Sequence, residues 1–224
     1  VLGMALLGSN PVGAATFHVA TNGNDGADGS SWTLALLTIS NAIARAGDGD
    51  TILVSNGTYA VTHSLTITNS IALVGANGAT GTTLQAASGV QIGVLNHAGA
   101  DWEGFRLTGC NLNYMYHGAI QVQAGTLRNC IISGNYIGDG AGVHLIGGLV
   151  TDCTISNNKT YWDSNGWGGS AYVTGGVLSN CVIVGNMGEM GGGVYMSGGL
   201  VTRCVITNNV LDPYSGSQGG AGRS

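Results

Sequence analysis

The sequence predicts an all-β solenoid of stacked parallel coils, and three observations carry that prediction. One sentence of sequence recurs four times between Gly118 and Gly220: GAIQVQAGTLRNCIISGN, AGVHLIGGLVTDCTISNN, SAYVTGGVLSNCVIVGN and GVYMSGGLVTRCVITNN. Within each copy apolar residues alternate with period two, the mark of a strand with one buried face. Between the strands stand small pairs, Ala124-Gly125, Gly147-Gly148, Gly175-Gly176 and Gly198-Gly199, which suit sharp corners. Repeats of this length, built from short strand-like runs and glycine turns, stack into a quasi-one-dimensional array.

Aligned on Cys130, Cys153, Cys181 and Cys204, with Cys110 of GFRLTGCNL as a degenerate fifth copy, the spacings are 20, 23, 28 and 23 residues. Two inward sets follow in every copy. The first is Ile120/Val122, Val143/Leu145, Ala171/Val173 and Val194/Met196. The second is Leu127, Val150, Leu178 and Val201, then the cysteine, then Ile132, Ile155, Ile183 and Ile206. Stacked parallel strands bring equivalent residues to about 4.8 Å, so each position becomes a ladder of like side chains. The cysteines then form a buried column whose parallel Cβ vectors disfavour the disulfide dihedral, and five free buried thiols are expected. Asn135, Asn158, Asn186 and Asn209, five residues past each cysteine, are expected to form a second ladder that satisfies backbone groups at a bend.

GGGVYMSGG followed by CVITNN resembles the repeat of bacterial right-handed parallel β-helices, the pectin-lyase-like superfamily, including variants in polymorphic outer-membrane and autotransporter-passenger proteins. The resemblance runs from about residue 16 to residue 224. It implies a right-handed parallel β-helix and is specific to the fold, without carrying catalytic residues across one by one.

The remaining elements follow in order. Residues 1–15, VLGMALLGSNPVGAA, are apolar and uncharged with small residues from Val12 to Ala15, and read as the remnant of a secretory signal peptide or, alternatively, as an N-terminal strand. Residues 16–50 are expected to hold a strand at Phe17–Ala20, an aspartate- and glycine-rich loop, and an amphipathic helix on Ile39, Ala42, Ile43 and Ala46 that stops at Gly47 and covers the open end of the solenoid. Asp25 and Asp28 in that loop match part of a calcium-binding spacing but lack its closing glutamate, so a polar turn is the preferred reading beside a Ca2+ site. Residues 51–224 carry the coils, with Asn56-Gly57 as a turn, the pairs Leu65/Ile67 and Ile71/Leu73, and an irregular stretch from Gln91 to Glu103. The final GGAGRS reads like the opening of a further copy.

Composition narrows the function classes. Charged residues make up 8% of the chain, against about 25% in an average domain. With six Lys+Arg and a net charge of -5 there is nothing from which to build a basic patch for nucleic acid. No transmembrane segment is expected, and the surface must be largely neutral and hydrogen-bonding. Export to the bacterial cell surface or medium fits both this composition and the N-terminal residues.

Candidate chemistry lies in the variable loops after each asparagine: YIGDG, KTYWDSNGWGGS, MGEMGG and VLDPYSGSQGG. Each carries one acid, Asp139, Asp163, Glu189 and Asp212, which are weak catalytic candidates. Aromatics accompany them at Tyr136, Tyr161, Trp162, Trp167 and Tyr214, which are candidates for stacking on sugar rings. Loops from one corner of a solenoid share an edge, so these residues should form a ridge. Neighbouring carboxylates suit glycosidic acid/base work or calcium, and the simpler alternative is polar loops kept for solubility. A second candidate is the outward strand face, with His144, Tyr172 and Tyr195 in one column and Asp152 and Arg203 in another, the latter pair read as solvated surface. The leading expectation is a secreted or cell-surface scaffold, non-catalytic, that binds a polysaccharide or cell-surface glycan through the ridge. The alternative is a polysaccharide lyase or glycoside hydrolase of the resembled superfamily. No cofactor and no metal site other than the Ca2+ alternative are expected.

Overall fold

A computed structural model describes residues 13–112, 118–137, 140–160, 170–188 and 191–211. Every strand pair among them is parallel, and the strands assemble into four sheets running along one stack, which makes the chain an all-β parallel solenoid. Sheet A holds Thr16–Val19, Thr51–Val54, Ala72–Gly75, Asp101–Glu103, Thr126–Arg128, Leu149–Thr151, Val177–Ser179 and Leu200–Thr202. Sheet B starts at Gly57–Val61, Thr82–Ala86 and Arg106–Thr108 and continues through Ile131–Ser133, Thr154–Ser156 and Val182–Val184 to Val205–Thr207. Sheet C runs from Leu65–Ile67 and Gly93–Leu95 through Ile120–Val122, Val143–Leu145 and Ala171–Val173 to Val194–Met196. Sheet D consists of two-residue strands, Asn111–Leu112, Tyr136–Ile137, Lys159–Thr160, Met187–Gly188 and Val210–Leu211.

The predicted ladders appear in register. Ile120 pairs with Val143 and that with Ala171; Leu127 pairs with Val150 and that with Leu178; Ile132 pairs with Ile155 and that with Ile183. All of these are buried in one continuous core. In the last described coil the same columns open to solvent, with Met196 40% and Ile206 47% exposed. Among the described residues nothing packs on their outer side.

The corners use the left-handed region of backbone space. Gly125, Gly148, Gly176 and Gly199 all have φ between 70° and 82°, and a Cβ on Gly148 would lie 2.4 Å from the Gly125 carbonyl oxygen of the coil before. Glycine is required there on both counts. A second left-handed corner, one residue before each cysteine, is occupied by Asn129, Asp152, Asn180 and Arg203, all with φ of 52–55°.

The cysteines are unpaired, as expected, and Cys110, Cys130, Cys153 and Cys181 are buried. Cys110 is not a fifth member of the cysteine column: Leu107 pairs with Ile132 and Asn111 with Tyr136, which sets Phe105 level with Cys130 and Cys110 level with Asn135. Cys204 is half-buried, which corrects the expectation of five buried thiols: it has a neighbouring coil on one side only among the described residues. The thiols of Cys130, Cys153, Cys181 and Cys204 donate to the carbonyl oxygen two residues earlier at 3.1–3.3 Å, so one rotamer is repeated down the column. Burial pushes the Cys110 thiol up to about 12 and raises Cys204, while hydrogen bonding to Cys130 and Cys181 together with burial raises Cys153.

The asparagine ladder is continuous. The Asn158 Oδ1 accepts from the Asn135 backbone N–H at 3.1 Å and from its Nδ2 at 3.0 Å, and the Asn158 Nδ2 donates to the Ile132 carbonyl at 3.0 Å and to the Asn186 Oδ1 at 3.1 Å. Asn186 repeats the pattern with Asn209, and Asn135 receives the Cys110 N–H. Each carboxamide thus replaces a stretch of sheet ladder lost at the bend.

Two sequence expectations need correction. The stretch from Gln91 to Glu103 is a regular coil: Gly93 pairs with Leu65 and Ile120, and Trp102 pairs with Leu73 and Leu127. A Cβ on Gly93 would come within 2.7 Å of the Trp102 ring, so a missing side chain in sheet C makes room for an indole from sheet A. The volume is kept while the pattern is lost. The helix, α1 (Ile39–Arg45), ends one residue earlier than expected, because Ala46 is already extended at ψ 134°. Its N-cap is Thr38, whose hydroxyl accepts the Asn41 N–H, and it buries Ile39 and Ala42 against Sheets A and C.

Candidate functional site

In the described coils a Sheet D strand is followed, after the variable segment, by a Sheet C strand. Residues 113–119, 138–142, 161–170 and 189–193 each leave Sheet D and enter Sheet C. The acids Asp139, Asp163, Glu189 and Asp212 and the aromatics Tyr161, Trp162, Trp167 and Tyr214 lie outside the described residues. Tyr136 is the candidate the structure describes. It opens its Sheet D strand, half-buried, with its N–H donating to the Cys110 carbonyl at 2.8 Å, and the Lys159 ammonium sits 5.8 Å from its ring centroid. A cation over one ring face takes the position a sugar would use there.

Sheet C carries an outward column, Gln121, His144, Tyr172 and Tyr195, in register across four coils. The His144 and Tyr172 rings stack with centroids 4.7 Å apart and planes 14° from parallel, and Tyr172 meets Tyr195 at 5.6 Å, tilted by 48°. The Gln121 Nε2 lies 3.4 Å from the His144 Nδ1, and the Gln123 Nε2 donates to the Gln121 Oε1 at 2.7 Å. Gln121 is 6% and His144 8% exposed, although both point out of the core. The rings therefore spend their faces on one another and offer a ligand mainly their edges.

Six of the seven carboxylates in the described residues hold turns or ion pairs, and the seventh, Asp152, is exposed beside the Thr151 hydroxyl. The Asp25 Oδ1 accepts the Leu37 and Thr38 N–H groups at 2.9 Å each, and its Oδ2 accepts the Thr38 hydroxyl. Desolvation pushes this carboxyl up, but the Thr38 and Leu37 hydrogen bonds and the charge of Arg45 outweigh it and hold it below the ordinary value. Asp28 accepts the Ser30 N–H and is likewise held low by it. Asp48 accepts from Ser70, and Asp50 from Ala15 and Gly47. Among the described residues no three His, Cys, Asp or Glu side chains gather as a metal would need. Asp25 and Asp28 serve the turn.

Asp152 and Arg203 are exposed, as read from sequence, and sit on the left-handed corner, with the Asp152 Oδ2 accepting the Thr151 hydroxyl at 2.8 Å. Sequence reading missed a charged cluster on the outer face of Sheet A. Arg128 pairs with Asp101 at 2.7 Å and Glu103 at 2.5 Å, and the Asn129 Nδ2 donates to the Glu103 Oε1 at 2.9 Å. Hydrogen bonding to Asp101, then the charges of both acids, raise the Arg128 guanidinium further. The alternation Asp101-Trp102-Glu103 was the available signal, hidden inside the stretch that reads as irregular.

These observations define a parallel β-solenoid in which six of the seven described carboxylates hold turns or ion pairs. No family model matches the chain, and no curated protein matches it. Among solved structures it is similar to a crystal structure titled pectate lyase Pel9A, at 15% identity and a TM-score of 0.48, covering 95% of this chain and 82% of that one. No residue role is carried across. No described helix is long and apolar enough to cross a membrane.

Proposed function

We propose that the protein is a secreted or cell-surface right-handed β-helix scaffold, non-catalytic, that binds a polysaccharide or cell-surface glycan through the loop row between Sheets D and C. The observation that supports this reading is the state of the described acids: six of the seven hold turns or ion pairs, and the seventh, Asp152, is an exposed corner residue. A chain with 8% charged residues fits a neutral hydrogen-bonding partner. The aromatics of the loop row, Tyr161, Trp162, Trp167 and Tyr214, would supply the apolar contact, with Tyr136 beside them.

The competing reading, a polysaccharide lyase or glycoside hydrolase, needs paired acids in fixed geometry. Only Asp139, Asp163, Glu189 and Asp212 are left to provide them, one per loop. Affinity electrophoresis in gels containing neutral or acidic polysaccharides separates the two. Trp162→Ala and Trp167→Ala should abolish retardation, while Asp163→Asn and Glu189→Gln leave it largely intact. Retardation indifferent to both tryptophans sinks the loop-row reading.

A further inference from the structure

Among the described residues, the N-terminal end of the stack leaves one strand edge unpaired. The edge of Sheet A is closed by the segment around Leu36, with His18 receiving the Leu36 N–H and Ala20 donating to the Leu36 carbonyl. The edge of Sheet C is packed by α1. Sheet B begins at Gly57–Val61, which pairs on one side only, with Thr82–Ala86. The Gly57 N–H donates to Gly81 and the Val61 carbonyl accepts from Ala87, so residues 57, 59 and 61 turn their backbone groups to the sheet. Thr58, Ala60 and Thr62 therefore aim theirs away from it. Among the described residues no backbone hydrogen bond joins these three to another segment.

Natural edges are usually guarded by Lys, Pro or an inward charge. The sequence GTYAV has none of these. Beside it lies a cleft of about 390 Å³, closed on its far side by Leu37–Ser40. Its lining is apolar toward the core, at Leu37, Ile39, Val61 and Leu65, hydroxylic toward solvent, and contains no Asp, Glu, Lys or Arg. Thr58, Ala60 and Thr62 are exposed.

We propose that this cleft is a peptide-binding site in which an extended, uncharged segment of a partner polypeptide pairs with the Thr58–Thr62 edge. The segment occupies the place in Sheet B where a first-coil strand is absent. The edge is about 13 Å long, which fits roughly four to five residues. Apolar side chains at alternate positions face Leu37, Ile39 and Leu65, and hydroxyl-bearing ones continue the outward column of Thr58 and Thr62. Main-chain pairing supplies affinity, and the apolar lining selects alternate residues. With no carboxylate, Lys or Arg in the lining, and His63 as its one imidazole, an ionised side chain would be desolvated there without a fixed countercharge, which selects a neutral strand. This site is remote from the loop row and does not depend on the glycan reading.

The test uses the full chain and a fluorescent, end-capped Thr-Val-Thr-Val-Thr peptide, followed by anisotropy and by amide hydrogen exchange. Saturable binding is expected, with exchange at Ala60 slowed on peptide addition and exchange at Tyr59, already bonded in the sheet, unchanged. N-methylation of the peptide amides that face the edge should weaken binding by about tenfold or more, the loss of one to two hydrogen bonds. Ala60→Pro removes an edge donor, and Thr58→Lys installs an edge guard on an exposed residue should the proline variant not fold. Both should abolish binding. Binding that survives N-methylation and Thr58→Lys, unaltered exchange at Ala60, or no binding at millimolar peptide would overturn the proposal.

Discussion

Removing one carboxamide from the middle of the asparagine ladder should be among the most damaging small changes in this molecule. Asn158 is 1% exposed. In Asn158→Ala two buried backbone groups lose their side-chain partner, the Asn135 N–H and the Ile132 carbonyl. The neighbouring carboxamides keep one partner each, Leu107 for the Asn135 Nδ2 and the Asn158 N–H for the Asn186 Oδ1. The orphaned Asn135 N–H costs about 1–3 kcal/mol, and the Ile132 carbonyl, which keeps its place in the Sheet B ladder, loses a second hydrogen bond worth about 1 kcal/mol, for roughly 3 kcal/mol in all. Asn209→Ala, at the half-buried end, leaves equivalent groups within reach of water and should cost about 1–2 kcal/mol. Asn158→Asp keeps the shape but turns an oxygen toward the Ile132 carbonyl and the Asn186 Oδ1, so it should be at least as damaging as alanine. Urea unfolding followed by far-ultraviolet circular dichroism and by tryptophan fluorescence measures all three, with coincident transitions as the check on cooperativity. If Asn158→Ala falls within about 1 kcal/mol of the parent, or matches Asn209→Ala, the ladder does not satisfy the bend as described.

Three further predictions rest on separate parts of the fold. Gly93→Ala should cost more in the parent than in a Trp102→Leu background, with a coupling of about 1–2 kcal/mol in a double-mutant cycle; part of the cost persists because the added Cβ also meets the Leu65 carbonyl. Alkylation at pH 8 should label Cys204 first and leave Cys110, Cys130, Cys153 and Cys181 untouched until the chain unfolds, since the latter are buried; mass spectrometry of the native protein reads this directly. Asp25 has its carboxyl held below the ordinary value, so its contribution is present above about pH 4, the unfolded value, and is lost as pH falls through the lower folded value. Amide exchange at Leu37 and Thr38 should accordingly quicken below that pH, and Asp25→Asn should remove the dependence.

What was legible in the sequence was whatever the coils repeat in kind. From Cys130 onward the cysteine and asparagine columns and the inward Ile, Val and Leu sets recur with the same residue type, so spacing alone gives their register; Cys110, aligned by type as a fifth cysteine, stands instead in the asparagine column, with Phe105 in the cysteine place. The coil at Gln91–Glu103 was not legible, because Gly93 and Trp102 exchange volume between two sheets and neither residue matches its column. With that coil hidden, Asp101 and Glu103 could not be placed beside Arg128. Arg203 read as a charged surface residue, whereas its position is a left-handed corner shared with asparagines, a backbone property that the charge does not announce. The outward column of His144, Tyr172 and Tyr195 was legible from its spacing, while the face-to-face packing of His144 and Tyr172 follows from the parallel spacing of the coils.

The most direct test of the scaffold reading is a product assay on a panel of neutral and acidic polysaccharides, scored together for unsaturated uronate absorbance, new reducing ends and retention of the protein on each glycan. Retention without either product is the predicted result. Unsaturated product, or reducing ends without it, from protein that loses this turnover in Asp163→Asn or Glu189→Gln would contradict the account and make the loop row an active site.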